Sequence, residues 1–247
     1  MVEMSYTGER VIPIAFQHDP RELQAHCGRY IWALEWCAHK EVLDCSCGAG
    51  YGTMILSWVA DWCLGIDISP EAIAYARQNY LTERNHFQVG SAYELNGLDG
   101  NYDVIVSFET IEHLKDPALF VRQAYELLEP EGVFIVSAPE NSHSVWHVKD
   151  YTKRELCDVL RANGDWTSLR YFCQGPRQEI VEDGEPIWDH PTHIWICSKG
   201  GQRAVGNRDH VSTRRPFAAV PDGVVLSTGH GVRGVGGGRR EPRQHLR

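Results

Sequence analysis

From residue 41 the chain alternates short apolar runs with stretches of helical periodicity, and few folds accept that pattern. The apolar runs are "EVLDCS" from Glu41, "WCLGIDI" from Trp62, "HFQVG" from His86, "YDVIVSF" from Tyr102 and "VFIVSA" from Val133. The fourth is a continuous apolar run of the kind found in strands buried on both faces. Between the runs, a helix is expected over 51–60 and another from Pro70 through Tyr80 with Ser69 as its cap. A third opens at Asp116-Pro117 and carries Phe120, Val121, Ala124, Leu127 and Leu128. Thr152 and Glu155 form a capping box for a further helix ending near Asn163-Gly164. "SLRYFC" and "HIWICS" read as two closing strands. Alternation with short connections implies an α/β fold, a doubly wound parallel sheet. Ligands of such sheets bind beyond the carboxyl ends of the strands, near the point where strand order reverses.

Ahead of this region a helix is signposted by Asp19 as N-cap, Pro20 as first residue and Glu22 as capping-box partner. Leu23, Cys27, Tyr30, Ile31, Leu34, Cys37 and Ala38 form its apolar stripe, with His26 and Arg29 on or near the polar side. Behind it, regularity stops after Gly200. The expected organisation is a helical cap over 1–40, a ligand-binding α/β domain over 41–200, and a Gly/Arg-rich tail over 201–247. "FAAVPDGVVL" in the tail is a short hairpin candidate.

Charge divides along the same line. The chain carries −9 overall, but residues 201–247 hold nine arginines against Asp209, Asp222 and Glu241, so residues 1–200 carry −15. An acidic body is a poor nucleic-acid binder, because neutralising phosphate takes Lys and Arg. The tail reads either as a dispensable extension or as a basic arm that attracts phosphate. No run approaches the ~18 apolar residues of a membrane span, and "MVEMSYTGER" lacks a signal-peptide pattern, so the expected location is cytoplasmic. The eight cysteines form no Cys-x-x-Cys and mostly fall inside apolar patterns, which argues against a zinc cage and for small core hydrophobes.

The first chemical signal is "LDCSCGAGYG", which places Gly48, Gly50 and Gly52 directly after the first strand. Asp44 ends that strand, and Asp67 ends the second in "GIDIS". An acid at the second strand end suits ribose hydroxyls. Asp44 discriminates between ligands: a carboxylate repels a pyrophosphate but welcomes an ammonium or a sulfonium. The dinucleotide pattern G-x-G-x-x-G fails at Thr53, and the P-loop pattern fails for want of Lys.

"VLDCSCGAGYG", "GIDIS", "YDVIVSFETIEHL" and "LLEPEGVFIVSAPE" together resemble the class I S-adenosylmethionine-dependent methyltransferases. The resemblance runs from about residue 5 to 198, nearest to ubiquinone-biosynthesis O-methyltransferases and bacterial methyltransferases of sugars and natural products. It implies a Rossmann-like, seven-stranded, mostly parallel sheet with helices on both faces and the last strand antiparallel. It also implies roles. Asp44, Gly48 and Gly50 would line the methionine part of S-adenosylmethionine, and Asp67 would hold the ribose diol with Ile68 against the adenine. Ser91 and Ala92, in "VGSAYEL", fall where the family contacts the adenine, and Phe108 where the fourth strand meets the sulfonium. Arg29 and Tyr30, in "HCGRY", resemble the "H-x-R-Y" of relatives whose first helix covers the cofactor. Ser46 departs from the family's Gly or Ala, and its small size is expected to preserve binding.

Within "VSFETIEHL", Glu109, Glu112 and His113 arrive within five positions of the fourth strand. One reading is a helix start where acids stabilise the dipole. Another is an active-site segment, because a hydroxyl acceptor must lose its proton to a base or with metal assistance. "E-x-x-E-H" followed by "H-V-K-D-Y-T-K-R-E-L" is similar to small-RNA 2′-O-methyltransferases, in which two glutamates and two histidines hold a divalent ion. That similarity makes Glu109, Glu112, His113 and His147 a candidate site for Mn²⁺, Co²⁺ or Fe²⁺. Without metal, Glu109, His113 and His147 remain the candidate catalytic groups. "NSHSVWHVKDY" and "QGPRQEIVEDGEPIWDHPTH" are candidate substrate walls, with Trp146, Tyr151 and Trp188 as apolar surfaces. The expected function is O-methylation of a small-molecule or sugar hydroxyl. RNA 2′-O-methylation and a non-catalytic cofactor-binding partner protein are the alternatives.

Overall fold

The computed structural model describes residues 11–13, 20–142, 144–175, 179–183 and 190–201. The tail beyond Gly201, the cap residue Asp19, the hairpin candidate and Trp188 lie outside the described residues. Helix α1 (Pro20–Cys37) is followed by β1 (Glu41–Cys45), α2 (Tyr51–Leu56), β2 (Trp62–Asp67), α3 (Pro70–Asn79), β3 (Asn85–Val89) and β4 (Tyr102–Ser107). Then come α4 (Pro117–Leu127), β5 (Leu128–Pro139), α5 (Lys153–Ala162), β6 (Trp166–Gln174), β7 (Ile180–Glu182) and β8 (Thr192–Lys199). The strands form one sheet in the order β3-β2-β1-β4-β5-β8-β6-β7. Strands β1 to β5 pair in parallel, and β8 runs antiparallel to both β5 and β6. The expected sheet of seven is present, with the last strand antiparallel. An eighth strand, the three-residue β7, adds to the edge by pairing with β6.

Two cores cover the two faces. On one, Phe120, Val121 and Ala124 of α4 and Leu156 and Leu160 of α5 pack with Leu43, Ile105 and Phe134. On the other, Ala33, Leu34 and Cys37 of α1 and Ile55 and Leu56 of α2 pack with Val42, Val104 and Ile135. The alternation of Leu43 and Val42, or of Ile105 and Val104, between the two cores is the period of two in a strand buried on both faces. Local signals place the helix starts. Ser69 Oγ accepts from the Ala72 N–H at 3.2 Å and Asp116 Oδ1 from Leu119 at 2.9 Å. Thr152 and Glu155 close the reciprocal capping box. Each such cap stabilises its helix by about 1 kcal/mol.

Four local expectations need correction. Ile31 is 46% exposed, whereas Arg29 is only 2% exposed. Residues 29, 30, 33, 34 and 37 form the buried face of α1, so Ile31, one residue past Tyr30, is rotated about 100° off it. Helix α2 ends at Leu56 rather than running to residue 60, and the chain turns through Ser57 to reach β2. The "IEH" segment is a single 3-10 turn over Ile111–His113, not the start of an α-helix. Of the apolar surfaces suggested for the substrate walls, Tyr151 is instead a core residue, whereas Trp146 lines a cavity.

Strand order reverses between β1 and β4, because the chain builds outward from β1 to β3 and then crosses to β4. The carboxyl ends of β1 and β4 are therefore neighbours, which sets the place of the site.

Candidate active site

The chain leaves β1 through a turn that ordinary side chains resist. Ser46, Gly48 and Gly50 all have positive φ, at 64°, 54° and 89°. At Gly50 a Cβ would stand 2.5 Å from the Ala76 Cβ and 2.9 Å from the Phe87 ring, so glycine is required there by packing as well as by conformation. Asp67 fastens the turn to the next strand: Oδ2 accepts from the Gly48 N–H at 3.0 Å and Oδ1 from the Ser69 N–H at 2.9 Å. Beside it Ile68 is 67% exposed. The Gly90 N–H donates to the Asp67 carbonyl at 3.1 Å, which draws Ser91 and the buried Ala92 to the same end of the sheet.

Asp44 sits behind the turn with no exposed surface. Its carboxylate accepts from Thr53 Oγ1 at 2.6 Å and from the Tyr30 hydroxyl at 3.2 Å. Burial pushes its carboxyl up to about 7, with the Asp67 charge adding and the two hydrogen bonds opposing. The folded protein therefore holds a proton that the unfolded chain releases near pH 4, and stability falls as pH rises from there through about 7. Asp44→Asn is expected to flatten this slope. Its stability relative to the parent should rise between pH 5 and 8 by on the order of 2–4 kcal/mol. Unfolding midpoints across that range test it, and parallel curves for the two proteins would refute it.

After β4, Phe108 packs edge-on against the Tyr30 ring at 5.1 Å. Glu109 follows with φ 52°, a conformation that costs a non-glycine residue on the order of 1 kcal/mol. It turns the carboxylate toward β5, where Ser137 Oγ donates to Glu109 Oε1 at 2.8 Å and accepts from the Glu109 N–H at 3.1 Å. The same oxygen stands 3.9 Å from Arg29 Nη2. Arg29 Nη1 donates to Gln174 Oε1 at 2.5 Å, while its Nε and Nη2 are buried without a hydrogen-bond partner.

The 3-10 turn then directs Glu112 inward. It is fully buried and neither carboxylate oxygen has a hydrogen-bond partner. Burial first, and the Glu109 charge second, raise its carboxyl well above the usual range. His113 Nε2 faces Glu112 Oε1 at 3.9 Å. The segment after β5 returns across this turn, because the N–H groups of Val148 and Lys149 both donate to the Glu112 carbonyl, at 2.9 and 3.1 Å. That brings the His147 ring edge-on to His113 at 4.9 Å. Glu112, His113 and His147 each offer a ligand atom, and those atoms lie within 4.8 Å of one another. Of the four residues proposed from sequence, three converge, and Glu109 is held apart by Ser137.

A cavity of about 330 Å³ joins the two halves. Its lining includes Tyr30, Cys47, Gly48 and Phe108 together with Glu112, His113, Trp146 and His147. Asp44 and Arg29 stand behind its wall rather than on it, and Asp67, Ile68, Ser91 and Ala92 lie at the β2 and β3 ends, outside this cavity. Sequence reasoning missed Thr53, Ser137 and Gln174. Ser137 and Gln174 act on residues 28 and 145 positions away, and Thr53 on Asp44 nine positions back, with no local pattern to mark them.

The sequence profile of a methyltransferase domain family matches residues 43–136. Norajmaline N-methyltransferase of Rauvolfia serpentina is 32% identical over 214 residues, which cover 75% of this chain and 72% of the relative. A probable S-adenosylmethionine-dependent methyltransferase of Mycolicibacterium smegmatis is 32% identical over 167 residues; this chain spans 64% of its length, and the match takes in 64% of this chain. Among solved structures, the N-methyltransferase NodS of Bradyrhizobium japonicum in complex with S-adenosylhomocysteine superimposes with a TM-score of 0.58 at 17% identity, over 76% of this chain and 91% of that one. The chain belongs to the S-adenosylmethionine-dependent methyltransferase family. Its residues fit that cationic cosubstrate. The cavity wall carries Glu22, Glu109 and Glu112 with no lysine or arginine among its described residues, and the buried Asp67 carboxylate closes the glycine turn beside the exposed Ile68.

Proposed function

We propose that this chain transfers the methyl group of S-adenosylmethionine to a hydroxyl of a small molecule, assisted by a divalent ion held by Glu112, His113 and His147. One observation carries the reading: a fully buried carboxylate with no hydrogen-bond partner faces two imidazoles beside the cavity. A buried, unpartnered carboxylate is costly, and a cation at that point removes the cost. One carboxylate and two imidazoles suit Mn²⁺, Fe²⁺ or Co²⁺ better than Mg²⁺.

S-Adenosylmethionine supplies a methyl group on a sulfonium, and a bound divalent ion lowers the pKa of a nearby hydroxyl. The chain's own contribution is position and charge. Gly48 and Phe108 line the cavity toward the cosubstrate end, and Asp67, Ile68, Ser91 and Ala92 suit the adenosine. Glu109, fixed by Ser137 and partly offset by Arg29 behind it, adds a carboxylate to the cavity wall that suits a sulfonium. A neutral amine needs no metal to become a nucleophile, so the metal cluster favours an oxygen acceptor.

The mouth of the cavity indicates the acceptor's shape. Trp146 lines it at 46% exposure, flanked by Val145 at 90% and Val148 at 55%. Such a rim suits an acceptor with an apolar body. The glutamates and the lack of described basic residues weigh against RNA, whose phosphates they repel.

The test is calorimetry with S-adenosylhomocysteine and with Mn²⁺. One S-adenosylhomocysteine should bind per chain with or without EDTA, and one Mn²⁺ should bind only without it. Methylation of a panel of apolar alcohols, catechols and sugars should stop with EDTA and return with Mn²⁺. Failure to bind S-adenosylhomocysteine or S-adenosylmethionine would remove the enzyme reading, and EDTA-resistant methylation would remove the metal.

A further inference from the structure

The segment that brings His147 to the site also carries groups that orient both imidazoles. His113 Nδ1 lies 3.0 Å from the Trp146 carbonyl oxygen. A carbonyl only accepts, so His113 is protonated at Nδ1 and turns Nε2 toward Glu112. His147 Nδ1 lies 2.6 Å from Asp150 Oδ1. Ser142 Oγ stands 2.7 Å from the same nitrogen and donates to Asp150 Oδ1 at 3.1 Å. A carboxylate on Nδ1 again leaves Nε2 as the ligating nitrogen. Carboxylates in this place fix the tautomer of a metal-binding histidine, restrict its ring rotation and raise its basicity.

We propose that Asp150, steadied by Ser142, is the positioning residue for His147 and sets the metal affinity of the site without touching the metal. The proposal rests on the metal reading above. Asp150, its side chain 25% exposed, makes a 2.6 Å contact to His147 Nδ1, shorter than the 2.7 Å of Ser142 Oγ to the same nitrogen. Val148 and Lys149, bonded to the Glu112 carbonyl, hold the two ends of the arrangement in register. The segment therefore delivers one ligand and the orienting acceptors of two.

The experiment is a Mn²⁺ titration, followed by electron paramagnetic resonance of the unbound ion, on the full chain and three variants, with S-adenosylhomocysteine affinity measured on the same samples. Asp150→Ala is expected to weaken Mn²⁺ about ten- to hundredfold. Asp150→Asn keeps an acceptor for Nδ1–H and should restore affinity to within about threefold of the parent, and Ser142→Ala should cost less than Asp150→Ala. S-Adenosylhomocysteine affinity should stay within about twofold in all of them, since the bonds removed join Ser142 and Asp150 to His147 and not to the glycine turn. A merely structural role for Asp150 would move both affinities together, and that result overturns the proposal. So does unchanged Mn²⁺ affinity in Asp150→Ala, while the metal reading stands. A parent that takes up no Mn²⁺ brings down the metal reading and this inference with it. Should Asp150→Ala not fold, Ser142→Ala decides: weaker Mn²⁺ binding at parental S-adenosylhomocysteine affinity supports the proposal, and parental Mn²⁺ affinity overturns it.

Discussion

Glu112→Gln is expected to abolish Mn²⁺ binding and methyl transfer, each falling by on the order of 100-fold or more, without loss of fold. The substitution keeps the size of the side chain and removes the one anionic ligand of the three, leaving two neutral imidazoles that hold a divalent ion far more weakly. Stability should move the other way. Glu112 is fully buried, unpartnered, and stands in the field of Glu109, so the folded chain pays for its charge as pH rises. Glutamine removes that charge. At pH 8, without metal, the variant should unfold at the same temperature as the parent or higher, and adding Mn²⁺ should stabilise only the parent. A stabilising substitution that ends activity is the mark of a functional group. Thermal unfolding with and without Mn²⁺, beside an activity assay, checks both halves. A destabilised variant that still binds Mn²⁺ would mean that Glu112 is a structural group.

Gly50→Ala should damage the molecule at the other end of the cavity. The φ of 89° puts alanine in a conformation it rarely adopts, and the added methyl would meet the Ala76 Cβ at 2.5 Å and the Phe87 ring at 2.9 Å. Left-handed strain costs about 1–2 kcal/mol and overpacking about 1–3 kcal/mol, so the sum is a large part of a stability of about 5–15 kcal/mol. Relief by shifting the turn would displace Gly48, whose N–H bonds Asp67. The expected result is a fall of about 2–5 kcal/mol in denaturant unfolding, with S-adenosylhomocysteine affinity lost in whatever protein remains folded. Gly97→Ala is the control, since nothing lies within 4 Å of a Cβ there. Equal losses in the two variants would show that the turn is not the cause.

The fold was largely legible because its signals are local. Runs such as "YDVIVSF" alternate between the two cores with a period of two, and Ser69, Asp116 and Thr152 cap the helices they precede. The misreadings occur where tertiary contact overrides pattern. Arg29 looked like a polar-face residue and is buried, because Gln174, 145 residues away, supplies its acceptor. Strand β7 is three residues that no periodicity marks, and its partner β6 creates it. Residues 111–113 have the spacing of a helix face, yet form one 3-10 turn, since Glu112 must reach inward while Val148 and Lys149 take up its carbonyl.

By itself the sequence determined the doubly wound sheet, the acidic body and the glycine turn between two aspartates. These follow from side-chain period, composition and the few residues that tolerate positive φ. Resemblance to the small-RNA methyltransferases added Glu109, Glu112, His113 and His147 as a group, but residue type and spacing do not say where a side chain points. Only the tertiary structure decided that Glu109 turns away to Ser137, and that Glu112, His113 and His147 meet. The reason is physical. A ligand cluster depends on backbone conformation at one residue, φ 52° at Glu109, and on hydrogen bonds between β4 and β5 segments more than 25 residues apart. Neither is written in any local stretch of the chain.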